Sequence, residues 1–420
     1  MKEKASDKTK YYRFLILSCV GLYMAMMAIK SVYVAEIATI IRVFNTNKST
    51  ASLMNTYYFI TYALTQFLLG FLMHKLNVKV YLLITVPISV FTYIVLALFI
   101  KEITQMWWLF LLNGFAQAGV VACTKAPLGK YLPSEYTAKA NAFYTMSAGG
   151  GFALSYGLSA IGISFFSWRM PFLLLSGFFL VMLCLYIVSV RLTEKNCPPI
   201  VNQSKPVPET EQAHEGLIKL RSNHSVVLFI AYWMLICFFS GSVQYGVNNW
   251  LVSYLHEIFH FREEYSMLVT IVLQATTIVG SLTAISICKK RKNYLTVMIA
   301  LYTPPIAIAV AMLFVLKVNL ILSITLLLVF ELFFSAGAVG VSVMLFDMRT
   351  QLDIGAASAF TNTSSSLAAG IVPTIVGALI ETAGWRAQYV FVSCALAIVL
   401  LLYIILNAVA RKQNQKEKKL

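Results

Sequence analysis

Apolar residues along this chain fall in long unbroken runs, and the short polar breaks between them hold most of its charge. A helix needs about 20 mostly apolar residues to cross a bilayer. Twelve runs reach that length, at about 14–40, 51–73, 80–100, 106–128, 138–165, 170–190, 226–252, 265–288, 294–316, 320–345, 355–379 and 387–409. The pattern predicts an all-α membrane protein with twelve transmembrane helices. Composition agrees: 59% of the 420 residues are hydrophobic and only 12% are charged, far from the balance of a soluble domain. The first run follows a basic stretch, but it is too long for a signal-peptide core and lacks a small-residue cleavage pattern, so it is read as an uncleaved first helix.

The net charge of +16 belongs to topology and does not indicate nucleic-acid binding. With the N-terminus inside, the inner segments hold 25 Lys and Arg, among them Lys75, Lys79, Lys125 and Lys130, against seven outside, among them Arg42, Lys48 and Arg262. Both termini are therefore expected in the cytoplasm. The basic runs are expected to meet anionic lipid headgroups.

The longest polar stretch, residues 191–225, carries four prolines and divides the runs six and six. It reads as a linker between an N-terminal half (1–190) and a C-terminal half (226–410), followed by a basic tail (411–420). The halves repeat weakly: residues 138–170 align without a gap on 355–387, so that Ala142-Phe143 meets Ala359-Phe360 and Trp168-Arg169 meets Trp385-Arg386. Two six-helix halves with internal repeats are the organisation of major facilitator transporters, whose solute site lies near the membrane midplane.

The loop "GFLMHKLNVK" resembles the signature of that superfamily. Gly70, Lys75 and Lys79 fit it, whereas His74 stands in place of Asp and Asn77 in place of a second Gly. These residues are candidates for a gating loop. Gly280 followed by "CKKRK" is a weaker echo in the second half. Within the superfamily, "TYALTQFLLGFLMHKLNVK", "LNGFAQAGVVAC", "TMSAGGG", "QYGVNNWLVSYLHEIFHF" and "GAASAFTNTSSSLAAG" resemble the organophosphate:phosphate antiporters, the glycerol-3-phosphate and hexose-phosphate transporter group. The resemblance implies two arginines and a histidine gathered on phosphate, yet the aligned residues are Ile29, Gln244 and Met146. Gln66 and Gln274 replace a lysine and a glutamate of that group. Lys30 keeps the basic residue that adjoins the first arginine.

An isolated lysine at the depth of Lys30 costs at least about 2.5 kcal/mol by insertion scales, so something must offset it. It either binds solute, with Tyr33 one turn on, or is paired permanently with a carboxylate or snorkels toward an interface. Glu331, inside the tenth run, is the carboxylate that could be such a partner or a coupling proton carrier. Glu36, near a helix end, is expected to be solvated. Gln66, Asn113, Gln117, Gln244, Asn248 and Gln274 each donate and accept, and with Lys30 and Tyr33 they form the expected solute site. Tyr58, Tyr62, Tyr245 and Trp250 are candidate walls.

Gly149, Gly150, Gly151 and Gly157 lie in a membrane run with no preceding strand, so close helix packing is expected there and not a phosphate loop. The seven cysteines are scattered without C-x-x-C spacing and are expected to be small core residues. With no nucleotide loop, metal cluster or catalytic triad, the expectation is a gradient-driven secondary transporter, not an enzyme, with no cofactor or metal. Its expected solute is an amino acid or organic anion, moved with a proton or exchanged for an anion, and its expected form is a monomer in a bacterial cytoplasmic membrane. Organophosphate exchange and non-transporting solute sensing are the alternatives.

Overall fold

The structure, a computed structural model, describes residues 2–72, 76–199, 223–290, 294–315, 317–347 and 354–417. His74, Lys75, Arg349 and most of the expected linker lie outside the described residues.

Within these residues the chain is helical. The first half holds α1 (Lys2–Ala35), α2 (Ile37–Val43), α3 (Lys48–Leu72), α4 (Val78–Phe99), α5 (Trp107–Gln117), α6 (Val120–Tyr131), α7 (Ser134–Phe165) and α8 (Met170–Asn196). The second holds α9 (Asn223–Asn248), α10 (Leu251–Phe259), α11 (Glu263–Lys290), α12 (Tyr294–Val315), α13 (Leu320–Asp347), α14 (Ile354–Ala383) and α15 (Trp385–Glu417). Fifteen helices give twelve crossings because the first, fourth and seventh are each broken in two, at Glu36, at Ala118-Gly119 and at Asn249-Trp250. Eleven of the crossings are long and apolar enough to be recognised as membrane spans. The twelfth, α3, falls short because Asn55, Thr56, Thr61, Thr65 and Gln66 are spread along it; Asn55 is buried, Thr56 bonds to α14, Thr61 lies against Gly114 of α5 and Gln66 Oε1 is enclosed.

Helix ends follow local chemistry. Asn47, Asn77 and Asn319 precede α3, α4 and α13 and accept backbone N–H bonds there, such as Thr50 N–H at 2.7 Å, Lys79 N–H at 3.1 Å and Ile321 N–H at 2.8 Å, as N-capping residues do. Asn77 thus has a capping role at the place where the loop signature carries glycine. Between α14 and α15, Gly384 adopts a left-handed φ of 77°, a helix-ending conformation that glycine enters without strain.

Several boundaries differ from the sequence pattern. Lys125 and Lys130 lie within α6, so the fourth crossing runs on past the expected loop. Helix α8 extends to Asn196 and α9 starts at Asn223, which narrows the linker, and α15 carries most of the basic tail as helix up to Glu417. Of the described cysteines, Cys19, Cys123, Cys197 and Cys237 are buried, but Cys184 and Cys394 are exposed and all six are free. In a bilayer protein the outer face is apolar, so an exposed cysteine in a span costs nothing.

The two halves meet along two seams, α3 against α14 and α7 against α11. Within the halves, α1 packs on α7 and α8, α9 on α14 and α15, and α11 on α13. Lipid tails are as apolar as leucine, so such contacts depend on close approach and interhelical hydrogen bonds. Gly151 sets the approach of α7 to α1: a Cβ there would lie 2.6 Å from the Met24 carbonyl oxygen and 2.7 Å from Met27 Cβ. Gly280 does the same for α11 against the Leu332 backbone of α13. Across the seam, the Thr56 hydroxyl donates to the Gly370 carbonyl at 2.6 Å and lies 2.9 Å from the Thr374 hydroxyl.

Gly151→Ala is expected to force α1 and α7 apart at a cost of about 1–3 kcal/mol, the usual range for overpacking. Gly129→Ala, where nothing lies within 4 Å, is expected to leave the melting temperature unchanged or slightly raised. Thermal unfolding of the two detergent-solubilised variants checks both; equal melting temperatures would mean that Gly151 does not set the helix spacing.

Candidate functional site

Lys30 lies in α1, and its ammonium does not meet a carboxylate. Its Nζ lies 4.5 Å from the centre of the Tyr62 ring, 4.6 Å from that of Phe59 and 5.7 Å from that of Tyr58. All three rings come from α3, where positions three and four apart present one face. A cation over an aromatic face gains about 2 kcal/mol or more once desolvated, similar in size to the least insertion cost of the lysine. The rings therefore offset the burial that a counter-ion was expected to offset. Among the described residues Lys30 forms no ion pair, so the Lys30–Glu331 pair does not form here. Glu331 is buried in α13 with Oε1 unpartnered.

The wall continues across the seam. Tyr245 of α9 lies 5.9 Å from Phe59, and next to it Gln244 is exposed. On the first-half side Tyr23 of α1 stacks on Tyr144 of α7 at 4.2 Å with rings 6° from parallel, and Lys125 Nζ lies 5.0 Å above the same Tyr144 ring. Tyr58 and Tyr62 thus stand against the Lys30 ammonium, and Tyr245 lies beside Phe59. Trp250, also expected as a wall residue, does not join them: it is fully buried and its indole N–H donates to the Pro373 carbonyl at 3.1 Å.

The amide residues separate into two groups. Asn113 and Gln117 are enclosed between α5, α4 and α3, and their hydrogen bonds are already made. Ser89 donates to Asn113 Oδ1 at 2.6 Å, Asn113 Nδ2 donates to Thr92, and Gln117 Nε2 donates to Ser89 at 2.9 Å. Tyr58 donates to Gln117 Oε1 at 2.7 Å. These two amides depart from the expectation of direct solute contact; through Tyr58 they hold one ring of the lysine box in place. Tyr33 also departs from it, being buried with its hydroxyl donating to the Ala51 carbonyl at 2.8 Å and its ring edge-on to Phe110. By contrast, Gln66 Oε1 and Asn248 Oδ1 are buried without partners, and Gln274 is partly exposed on α11. Ile29 is fully buried, so the residue of that helix turn that meets the α3 rings is Lys30.

Of the gating-loop candidates, Gly70 lies in α3 and Lys79 in α4. Lys79 pairs with Glu194 of α8 at 2.5 Å, a contact inside the first half and not across the seam.

The cross-seam ion pairs lie at the opposite end, the one the charge count places outside. Arg42 of α2 and Glu263 of α11 pair at 2.9 Å, with a second Arg42 contact at 3.3 Å and a Thr39 hydroxyl donating at 2.8 Å. Lys48 pairs with Glu257 at 2.7 Å, Trp385 Nε1 donates to Glu257 at 3.0 Å, and the Lys48 backbone N–H donates to Glu381. This end is closed. Glu36 lies at the same level, fully buried with both carboxylate oxygens unpartnered, contrary to its expected solvation. Its signal in the sequence was its being the sole acid of the first apolar run. What the sequence could not give was the second half packed over it.

These features coincide with a known architecture. The chain superposes on the nucleoside transporter NupG in a mutant form with a TM-score of 0.69 and 13% identity, covering 93% of this chain and 99% of that one. A bacterial homologue of the human lysosomal transporter Spinster, in an inward-facing and unoccupied conformation, gives a TM-score of 0.66 and 14% identity, covering 96% and 98%. At such identities the likeness establishes the fold alone. No curated protein matches the chain in sequence. The sequence profile described as Major Facilitator Superfamily matches residues 15–348, and this integral, multi-pass membrane protein belongs to that superfamily of transporters.

Proposed function

We propose that the protein is a secondary transporter of a small organic solute bearing a carboxylate, an amino acid or organic anion, with Lys30 as the group that holds it. The observation that carries this reading is the ammonium placed among Tyr58, Phe59 and Tyr62 without a carboxylate partner. Aromatic faces lower the cost of the charge but leave its three N–H donors free for an anion. An arriving carboxylate would then gain a charge-assisted hydrogen bond in a low-dielectric setting. Gln66, Gln244 and Gln274, which replace or accompany the charges of the organophosphate antiporters, provide neutral donors and acceptors around it. If brought to the same solute, these amides would fit a monoanion or zwitterion better than a dianionic phosphate.

The two halves would alternate about this position, with the Arg42–Glu263 and Lys48–Glu257 pairs as the outer closure. Glu331, enclosed and not paired with Lys30, is assigned the coupling proton of the second half. The protein would act as a monomer, with its basic end on the cytoplasmic face.

The purified protein is expected to melt higher with an amino acid or carboxylate, a ligand at 100 times its Kd adding about 2.7 kcal/mol. Stabilisation by inorganic phosphate or sugar phosphates instead would restore phosphate exchange, and binding without uptake into proteoliposomes would make the protein a sensor. Lys30→Met should melt close to the parent, since the burial cost of the charge, about 2.5 kcal/mol or more, is removed together with the ring contacts that offset it, and should lose the ligand shift. Unchanged ligand affinity in that variant would remove Lys30 from the site. Glu331→Gln should retain binding but lose pH-gradient-driven accumulation; accumulation at the parent rate would leave Glu331 a structural residue.

A further inference from the structure

The closed outer end contains one carboxyl whose surroundings differ from those of its neighbours. Glu263 has Arg42 and Thr39, Glu257 has Lys48 and Trp385, and Glu264 has Arg262. Glu36, at the break between α1 and α2, is wholly enclosed, and among the described residues neither of its oxygens makes an ion pair or a hydrogen bond at contact distance, while Ser159, Thr39, Arg42 and Glu263 lie near it. Its surroundings come from both halves. Ala35, next to it, packs with Tyr156 and Ala160 of α7 and with Val252 of α10 and Met267 of α11. Ser159 of α7 lies against the Glu36 side chain, and the Ser155, Ser159 and Ser253 hydroxyls are likewise buried without partners.

From this geometry we propose that Glu36 is a proton-binding site of the outer closure, taking up a proton from the outer side when the halves close over it and releasing it when they part. The argument is one of linkage. A charged carboxylate with neither cation nor donor at contact distance is strongly disfavoured away from water, whereas the neutral acid carries no such cost and can hydrogen-bond a neighbouring serine hydroxyl. In an outward-open arrangement α10 and α11 no longer cover the residue and water solvates the charged form. Protonation therefore favours the closed arrangement by the difference in proton affinity between the two. The sign follows: closure is favoured at low pH and weakened as pH rises.

The charged groups that act on Glu36 are Arg42 of α2 and Glu263 of α11; the same and adjoining elements also carry Lys30 and Tyr33 of α1, Lys48 of α3, Tyr156 of α7, His256 and Glu257 of α10, and Glu264 of α11. Arg169 precedes α8, and its guanidinium donates to the Ile100 carbonyl at 3.2 Å. The charged residues of α6, Lys125 and Lys130, lie toward the inner end. His256, 3.9 Å from Glu263, is the other group here that could give a pH response, so the test must separate the two.

The inference rests on the alternating two-state cycle of the proposed transporter, but not on its solute. The test needs no substrate: spin labels at Lys101→Cys and Val318→Cys, exposed positions at the outer end of opposite halves, in a background without native cysteines. In the parent, a longer-distance population should grow between mildly acidic and mildly alkaline buffer. Glu36→Gln, neutral at every pH, should hold the short distance throughout, with His256 intact. Loss of the response in Glu36→Gln supports the site; a response that survives it, or its absence from the parent, overturns the proposal. Should Glu36→Gln not be recovered folded, Glu36→Asp must move the midpoint of the response, and an unmoved midpoint equally overturns it. Failure of Lys30→Met to alter solute binding would leave this result untouched.

Discussion

Water is absent from the hydrocarbon core, and every charge or hydrogen-bonding group placed there must find its partner inside the protein. For Lys30 those partners are aromatic faces, and for Asn113 and Gln117 the hydroxyls of Ser89, Thr92 and Tyr58; Glu36 is the exception, with no hydrogen bond or ion pair at contact distance among the described residues. Helix α3 shows what the constraint does at the level of a whole element. Its polar residues make it too hydrophilic to look like an ordinary span, yet one side of it packs on α14 and α5 and meets the Lys30 ammonium, while Leu64, Leu68 and Leu72 form its exposed side. Polarity that would expel a lone helix from a bilayer is tolerated because neighbouring helices satisfy it.

The breaks in the first, fourth and seventh crossings follow the same logic. An interrupted helix exposes backbone groups, which in lipid would cost several kcal/mol each; each interruption here is internal. Glu36 is enclosed by α7, α10 and α11. At Gly119 an added Cβ would strike the Tyr81 ring, so α4 lies directly against the break. At Trp250 the indole bonds to α14, and Gly377 leaves the room it needs, with a Cβ there only 2.8 Å from the ring. Two of these interruptions, at Glu36 and at Trp250, lie at the outer closure, where helix segments must be able to change direction independently of the rest of their crossing.

Much of the architecture was legible in the sequence because hydrophobic runs report a one-dimensional property, the length needed to cross a bilayer. The repeat was legible too, and the structure gives it a physical meaning. The aligned stretches are α7 and α14, and each is the helix its half contributes to a seam. The paired tryptophans at their ends serve different contacts, Trp168 lying edge-on to Phe44 and Phe172 while Trp385 reaches Glu257. What a one-dimensional reading could not resolve was rotation about each helix axis. Neighbouring residues lie about 100° apart on a helix, so Tyr33 and Lys30 are not equivalent although both are near the right depth, and Asn113 and Gln117 share a face that turns toward α4. Exposure of Glu36 was misjudged for a related reason: depth along α1 could be counted, but the cover supplied by residues more than 200 positions away could not.

Rotation also changes how the resemblance to the organophosphate antiporters bears on the site. Aligned by sequence, Ile29 falls where the resemblance implies a phosphate-binding arginine. In the structure Ile29 is buried and its neighbour meets the α3 rings, so the first crossing still carries a cation there, in a different rotational position and on a different chemical group. A guanidinium presents a rigid fork suited to two phosphate oxygens, whereas an ammonium is a compact charge with rotatable donors. On the proposed reading, an ammonium in place of a guanidinium, with Gln244 where the resemblance implies a second arginine, would lower the positive charge of the site and its demand for a planar, doubly charged partner. The aromatic box then takes on the task that a counter-ion would otherwise perform. On the proposed reading it would stabilise the lone charge between visits of the solute without competing for its hydrogen bonds, and would leave no internal anion for a substrate to displace.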